Sequence, residues 1–220
     1  MVITVSRQAE SGDEEIVRLV AERSGLQVAD RAILEHMAQH EGLPVSHLAR
    51  FDEVVPGMLE SLIAEWQTSV SQAIYLRRLI STLLLLEHED DIIIVGRGAA
   101  FVLTDPGTLH VRIAAPMACR VAALSARQAI PALVAARMLR RSDEARARFI
   151  RQAFDADLES PYHYDLTINT AELAAATAAD VIVLAAQQKA ARRGRYAEVT
   201  EDFVARVNRL RRSMRQPRRG

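Results

Sequence analysis

The chain has 220 residues, half of them apolar and a quarter charged, with acidic and basic side chains in equal number; this is enough to bury a full core, as one domain with an appendage. A single cysteine, Cys119, excludes an intramolecular disulfide framework and suits a reducing cytoplasm. The longest apolar run, Leu79–Leu86, is broken by Ser81 and Thr82 and falls far short of the ~20 residues of a membrane span. No basic segment followed by a long apolar stretch opens the chain, so no membrane association and a cytoplasmic location are expected. The neutral total conceals a split. Residues 1–188 carry 17 basic and 25 acidic side chains, residues 189–220 carry 11 and 3, and the expected division is an acidic body, 1–188, and a basic tail, 189–220.

In chain order, Val2-Ile3-Thr4-Val5 is too short for a helix and predicts a strand buried on both faces. Ser6–Gly12 forms a polar turn, and Asp13–Ser24 spaces Ile16, Val17, Leu19 and Val20 as a helix that stops at Gly25. A strand, a tight loop and a helix make the opening unit of an α/β nucleotide-binding fold, whose loop amides and helix N-terminus face a phosphate. The phosphate-binding chemistry itself is missing. Against the pattern G-x-x-x-x-G-K-[ST], Arg7 stands at the first glycine, Gly12 at the second, Asp13 at the lysine and Glu14 at the hydroxyl. Lys189 is the only lysine in the chain, so no other lysine of the body substitutes, and Glu10, Asp13, Glu14 and Glu15 crowd the loop with negative charge. Acids in a first helical turn also suit the helix dipole, so Glu14 and Glu15 have a purely local explanation as well.

Leu26–Ala29 predicts a weak second strand closing on Asp30-Arg31, followed by helices over Ala32–His40 and from Val45 to Phe51. His36 and His40 lie four apart, but no third ligand has a recognisable spacing and no metal site is expected of them. Pro56-Gly57 opens a long helical pattern to about His88, whose broad apolar face suits burial on more than one side, including against a second subunit of a homodimer. Ile92–Val95 predicts a central parallel strand, ending in Gly96-Arg97-Gly98. Ligands of open α/β sheets bind beyond the carboxyl ends of the strands, so Arg97 stands where its guanidinium fork would meet a phosphate or carboxylate; the alternative is a structural ion pair. Leu109–Ala114 is a further strand, and Met117–Ile130 a helix bearing Arg120 and Arg127. A second helix begins near Pro131. Between 137 and 151 lie six arginines, 137, 140, 141, 146, 148 and 151, a pattern that fits a solvated helix or a cationic cover over phosphates. Leu166–Ile168 is the last predicted strand and Glu172–Gln188 the closing helix.

Taken together, Ile3-Thr4-Val5-Ser6-Arg7, Ser11-Gly12, Asp30-Arg31, Val95-Gly96-Arg97-Gly98, Asp143-x-x-Arg146 and Tyr164-Asp165-Leu166-x-Ile168-Asn169-Thr170 resemble, in order, the cytidylate-kinase-like family of P-loop nucleoside monophosphate kinases. The resemblance implies a three-layer α/β fold with a parallel five-stranded sheet, helices on both faces and an arginine-rich lid at about 137–160. It also implies phosphoryl transfer from ATP, with magnesium, to a pyrimidine nucleotide such as CMP. Carried over, Arg7, Ser11 and Gly12 would meet the ATP phosphates, and Asp30, Arg31 and Arg97 the acceptor. Arg97, Arg146 and Arg141 would be the catalytic cations, since such enzymes work by positioning and charge neutralisation. Two features depart from the family's pattern. Cytidylate kinases carry the loop lysine and an aspartate after the Gly-Arg pair, where this chain has Asp13 and Gly98; the wider family often reads G-S-G-G where this chain reads Glu10-Ser11-Gly12-Asp13.

Three readings follow: an active nucleotide kinase with arginines in place of the lysine, a weak or inactive homologue that binds a nucleotide or partner, or a module acting on nucleic acid or an acidic partner through its tail. In that tail Val199, Phe203, Val207, Leu210 and Met214 draw one apolar stripe, predicting an amphipathic helix over Ala197–Met214 that docks on a body, with nucleic acid as the rival partner.

Overall fold

The computed structural model describes residues 1–29, 69–89 and 91–193, with side chains for 1–29, 76–88 and 91–191. The predicted helices at Ala32–His40 and Val45–Phe51, the Asp30-Arg31 pair, His36, His40 and the tail helix lie outside these residues. The described elements run β1 (Val2–Arg7), α1 (Asp13–Ser24), β2 (Gln27–Ala29), α2 (Ser69–Glu89), β3 (Ile92–Val95), α3 (Ala99–Val102), β4 (Leu109–Ala114), α4 (Met117–Gln128), α5 (Ala132–Phe154), a 3₁₀ turn (Pro161–His163), β5 (Leu166–Asn169) and α6 (Ala175–Arg193).

The five strands form one sheet in the order β2-β3-β1-β4-β5, and all four pairings are parallel. In register, Val5 lies opposite Val95 on one side and Val111 on the other. Parallel strands covered on both faces read as unbroken apolar runs rather than alternating ones, and Ile92-Ile93-Ile94-Val95 is buried throughout. Side chains alternate between the faces. Val2, Ile92 and Ile94 meet Leu79, Leu83 and Leu84 of α2 on one face. Ile3, Val5, Ile93, Val111 and Ile113 meet Ile16 and Val20 of α1 and Ala178, Ala179 and Ile182 of α6 on the other. Alanines at those α6 positions bring the helix close to the sheet and to α1, along which it packs. The result is the three-layer α/β architecture expected from the sequence.

Several boundaries differ from the sequence reading. The closing helix begins at Ala175, because Asn169 caps the preceding turn by accepting from the backbone N–H of Ala171 through its side chain at 3.1 Å. It continues to Arg193, beyond the charge break at residue 188. The arginine-rich segment is the interior of the single 23-residue helix α5. Short α3 and the 3₁₀ turn were not foreseen; four and three residues carry too little periodicity to register. Among the described residues no helix is long and apolar enough to cross a membrane.

Candidate functional site

The connection after β1 runs past β3 to β2 and the one after β3 runs past β1 to β4; leaving this adjacent pair in opposite directions, they open a crevice at the carboxyl ends of the strands, the place where open α/β sheets take ligands. Two turns border that crevice. In the first, between β1 and α1, Glu10 and Gly12 have positive φ, 60° and 72°. Only glycine adopts this region at no steric cost, which gives a backbone reason for the family's glycine at the position of Glu10. In the second, after β3, Gly96, Arg97 and Gly98 are all left-handed, with φ of 76°, 57° and 73°. A non-glycine residue held this way persists where its surroundings fix it, typically at ligand-binding sites, at a cost of about 1–3 kcal/mol. Gly96 donates its N–H to Val5 O at 2.8 Å, which ties the turn to the end of β1.

Arg7, the last residue of β1, reaches across this end of the sheet. Its Nε lies 2.9 Å from Asp13 Oδ2, and its Nη1 lies 3.9 Å from where a β-carbon on Gly96 would stand. Asp13 is buried at the first turn of α1, and its Oδ1 accepts from the Ser11 hydroxyl at 3.2 Å. Burial pushes the Asp13 carboxyl above its ordinary value, against the opposing pull of the Arg7 guanidinium.

α5 contributes the next cation. Ala135, Leu139, Ser142, Ala145 and Ile150 are its buried residues, and Arg146 lies along that stripe while Arg137, Arg140, Arg141, Arg148 and Arg151 are exposed. Burial, reinforced by Arg7, depresses the Arg146 pKa, with Asp143 and Asp13 opposing; Arg146 therefore stands within electrostatic reach of the first loop. Its Nη1 is shielded from solvent and has no hydrogen-bond partner among the described residues. Arg141 is five residues away, about 140° around the helix at 3.6 residues per turn, on the exposed side. Spacing within α5 would have singled out Arg146; arginine density could not.

Three further residues join the site that the sequence named only in passing or not at all. Arg120, buried in α4, makes a two-pronged contact with Asp143 (2.8 and 3.2 Å) and donates to Ala115 O at 3.1 Å and Ala9 O at 3.4 Å. It thereby joins α5, the β4–α4 junction and the first loop. Arg127 pairs with Glu10. So two of the four carboxylates read from the loop, Asp13 and Glu10, face arginines, while Glu14 and Glu15 are exposed. Phe154, the last residue of α5, packs on Gly98 and stacks with Phe101 at 6.0 Å. A side chain at 98 would occupy the space of this ring, which accounts for glycine where cytidylate kinases carry aspartate.

An open cleft of about 420 Å³ extends from Arg7 and Asp13 along α1 to Val28 on β2. Arg18 lines it together with Glu14 and Glu22. Of the residues assigned from the sequence, Arg7, Ser11, Gly12, Arg97 and Arg146 border the strand ends, Arg141 is solvent-exposed on α5, and Asp30 and Arg31 lie outside the described residues.

Strand order, first loop and helix together define a three-layer α/β fold with a parallel five-stranded sheet. The chain belongs to the cytidylate kinase-like family, which it matches over residues 2–172. Its fold is similar to that of an uncharacterized protein from Eubacterium ventriosum, with a TM-score of 0.60 at 17% identity over 85% of this chain and 98% of that one. Shikimate kinase from Acinetobacter baumannii, in complex with shikimate, aligns at 14% identity and TM-score 0.48, over 85% of this chain and 93% of that one. Shikimate kinase from Aquifex aeolicus aligns at 14% and 0.44, over 86% and 98%. No curated protein sequence matches the chain.

Proposed function

We propose that this chain is a small-molecule kinase that moves a phosphoryl group from ATP to a pyrimidine nucleoside monophosphate at the carboxyl ends of β1 and β3. The observation that carries this reading is the grouping of Arg7 and Arg146 with the left-handed Gly96-Arg97-Gly98 turn at the crevice. Phosphoryl transfer asks a protein mainly to position two substrates and to neutralise charge spread over the equatorial oxygens. Arg97 would orient the acceptor phosphate from the end of β3. Among the described residues the shielded Nη1 of Arg146 is a donor without a partner, a costly state that a phosphoryl oxygen would relieve. Gly12, with its left-handed backbone, and the α1 N-terminus would hold the phosphates of ATP. ATP would supply the transferable group, and magnesium in such sites would be bound through one or two carboxylates together with the nucleotide's phosphates.

A second reading, binding of a nucleotide without turnover, is favoured by one feature: Arg7 already has a carboxylate partner at the position where kinases carry lysine. Coupled turnover with ATP and CMP, dCMP or UMP, alongside equilibrium binding of the same nucleotides, separates the two. Acceptor-dependent ADP release supports the kinase; binding without release supports the second reading.

A further inference from the structure

In a phosphate-binding loop, the first turn of the following helix presents backbone N–H groups and a cation to a phosphoryl oxygen. Here the same place holds a carboxylate. Asp13 is 6% exposed and Ser11 1%. Asp13 Oδ2 takes a charge-assisted bond from Arg7 Nε at 2.9 Å, Oδ1 takes the Ser11 hydroxyl at 3.2 Å, and the Asp13 backbone N–H adds a third donor. A guanidinium, a hydroxyl and a helix-terminal amide are the donors that hold a phosphoryl oxygen. All three converge on an anion of the chain itself, next to the second arginine, Arg146, that both Asp13 and Arg7 influence.

We propose that Asp13 is a built-in competitor for the phosphate seat of the first loop, and that a phosphorylated ligand enters by taking Arg7 from Asp13. The inference rests on the kinase-like reading of this site and adds a threshold to it. Exchanging one oxyanion for another on Arg7 is close to even. Net gain comes from what the ligand adds, namely an oxygen for Arg146 Nη1 and further oxygens for the loop amides. The loop therefore discriminates against anions with one phosphate or sulfate and admits di- and triphosphates.

The test is calorimetric titration of the full chain with inorganic pyrophosphate, comparing wild type with Asp13→Asn and Asp13→Ala. Both variants are expected to bind pyrophosphate at least tenfold more tightly than wild type, and adding Arg7→Gln to Asp13→Asn should abolish the gain. Equal or weaker binding by Asp13→Asn overturns the proposal, because Asp13 would then be orienting Arg7 rather than competing for it. Absence of pyrophosphate binding in all three proteins overturns it too. Wild type provides an independent measurement should the variants not fold: the ¹H–¹⁵N signal of Arg7 Nε must move as pyrophosphate saturates, and a signal that stays put refutes the exchange. CMP titrated into the same samples separates failure of the competitor from failure of the kinase-like reading. CMP binding without a pyrophosphate gain sinks the competitor alone, whereas loss of both sinks the kinase-like reading as well.

Discussion

Replacing Gly98 by alanine tests how the arginine-bearing turn is built. A β-carbon there would come within 2.8 Å of Phe154 Cζ and 3.3 Å of Cδ2, and closer still to Cε2. The ring cannot swing aside freely, since Phe101 stacks on it at 6.0 Å and Phe149 meets it edge-on at 5.8 Å. Two costs combine. Alanine at φ 73° costs about 1–2 kcal/mol in the left-handed region, and the forced displacement of the ring costs about 1–3 kcal/mol. Gly98→Ala should therefore destabilise the chain by about 3 kcal/mol, read from the urea midpoint at unchanged slope. Phe154→Ala removes the clash but not the backbone strain, so the double variant should be less destabilised than the two singles predict, by about 1–2 kcal/mol. A cost for Gly98→Ala below about 1 kcal/mol, or additivity within about 0.5 kcal/mol, would refute this account of the turn.

Two other perturbations bear on separate parts of the molecule. Burial, with a contribution from Lys189, holds the His110 pKa down at about 4 from 6.5, while Asp165 opposes, and Thr4 Oγ1 lies 2.7 Å from its Nδ1. Because the folded value lies below the unfolded one, this contribution to stability is complete above the unfolded value and is lost as pH falls from 6.5 toward 4. Between pH 7.5 and 4.5 the wild type should lose about 2.5 kcal/mol more than His110→Asn in urea unfolding; equal losses would show that His110 protonates without penalty. At the strand ends, Arg97→Ala should weaken CMP binding about tenfold to a hundredfold, the worth of a hydrogen bond to a charged group. Arg148→Ala, on the exposed side of α5, should leave CMP affinity unchanged. Equal effects of the two would remove Arg97 from the acceptor site.

What the sequence could reveal follows from which signals are local. β1, β3 and β4 announce themselves because a central parallel strand must be apolar on both faces, and Ile92–Val95 has no other use. β2 and β5 are harder to see: Gln27 and Val28 are exposed at the sheet edge, and in β5 only Ile168 is buried, so neither carries a full apolar run. At the site, glycines around Arg97 mark a turn at a strand end and so give its place. The pairing of Arg7 with Asp13 was not legible, because two charges six residues apart meet only once the loop doubles back through left-handed Gly12. Arg120 was hidden for a similar reason. Its partners, Ala9 and Asp143, are 111 and 23 residues away in the chain, and nothing in α4 itself distinguishes a buried arginine from a solvated one.

The proposed service of the arginines at the ends of β1 and β3 in phosphoryl transfer is decided by ADP release measured with ATP, magnesium and each of CMP, dCMP and UMP. Release is expected to depend on one of these acceptors and to fall at least about a hundredfold in Arg97→Ala, a loss near 2.7 kcal/mol of transition-state stabilisation. Acceptor-independent release, or acceptor-dependent release that survives Arg97→Ala undiminished, would contradict it.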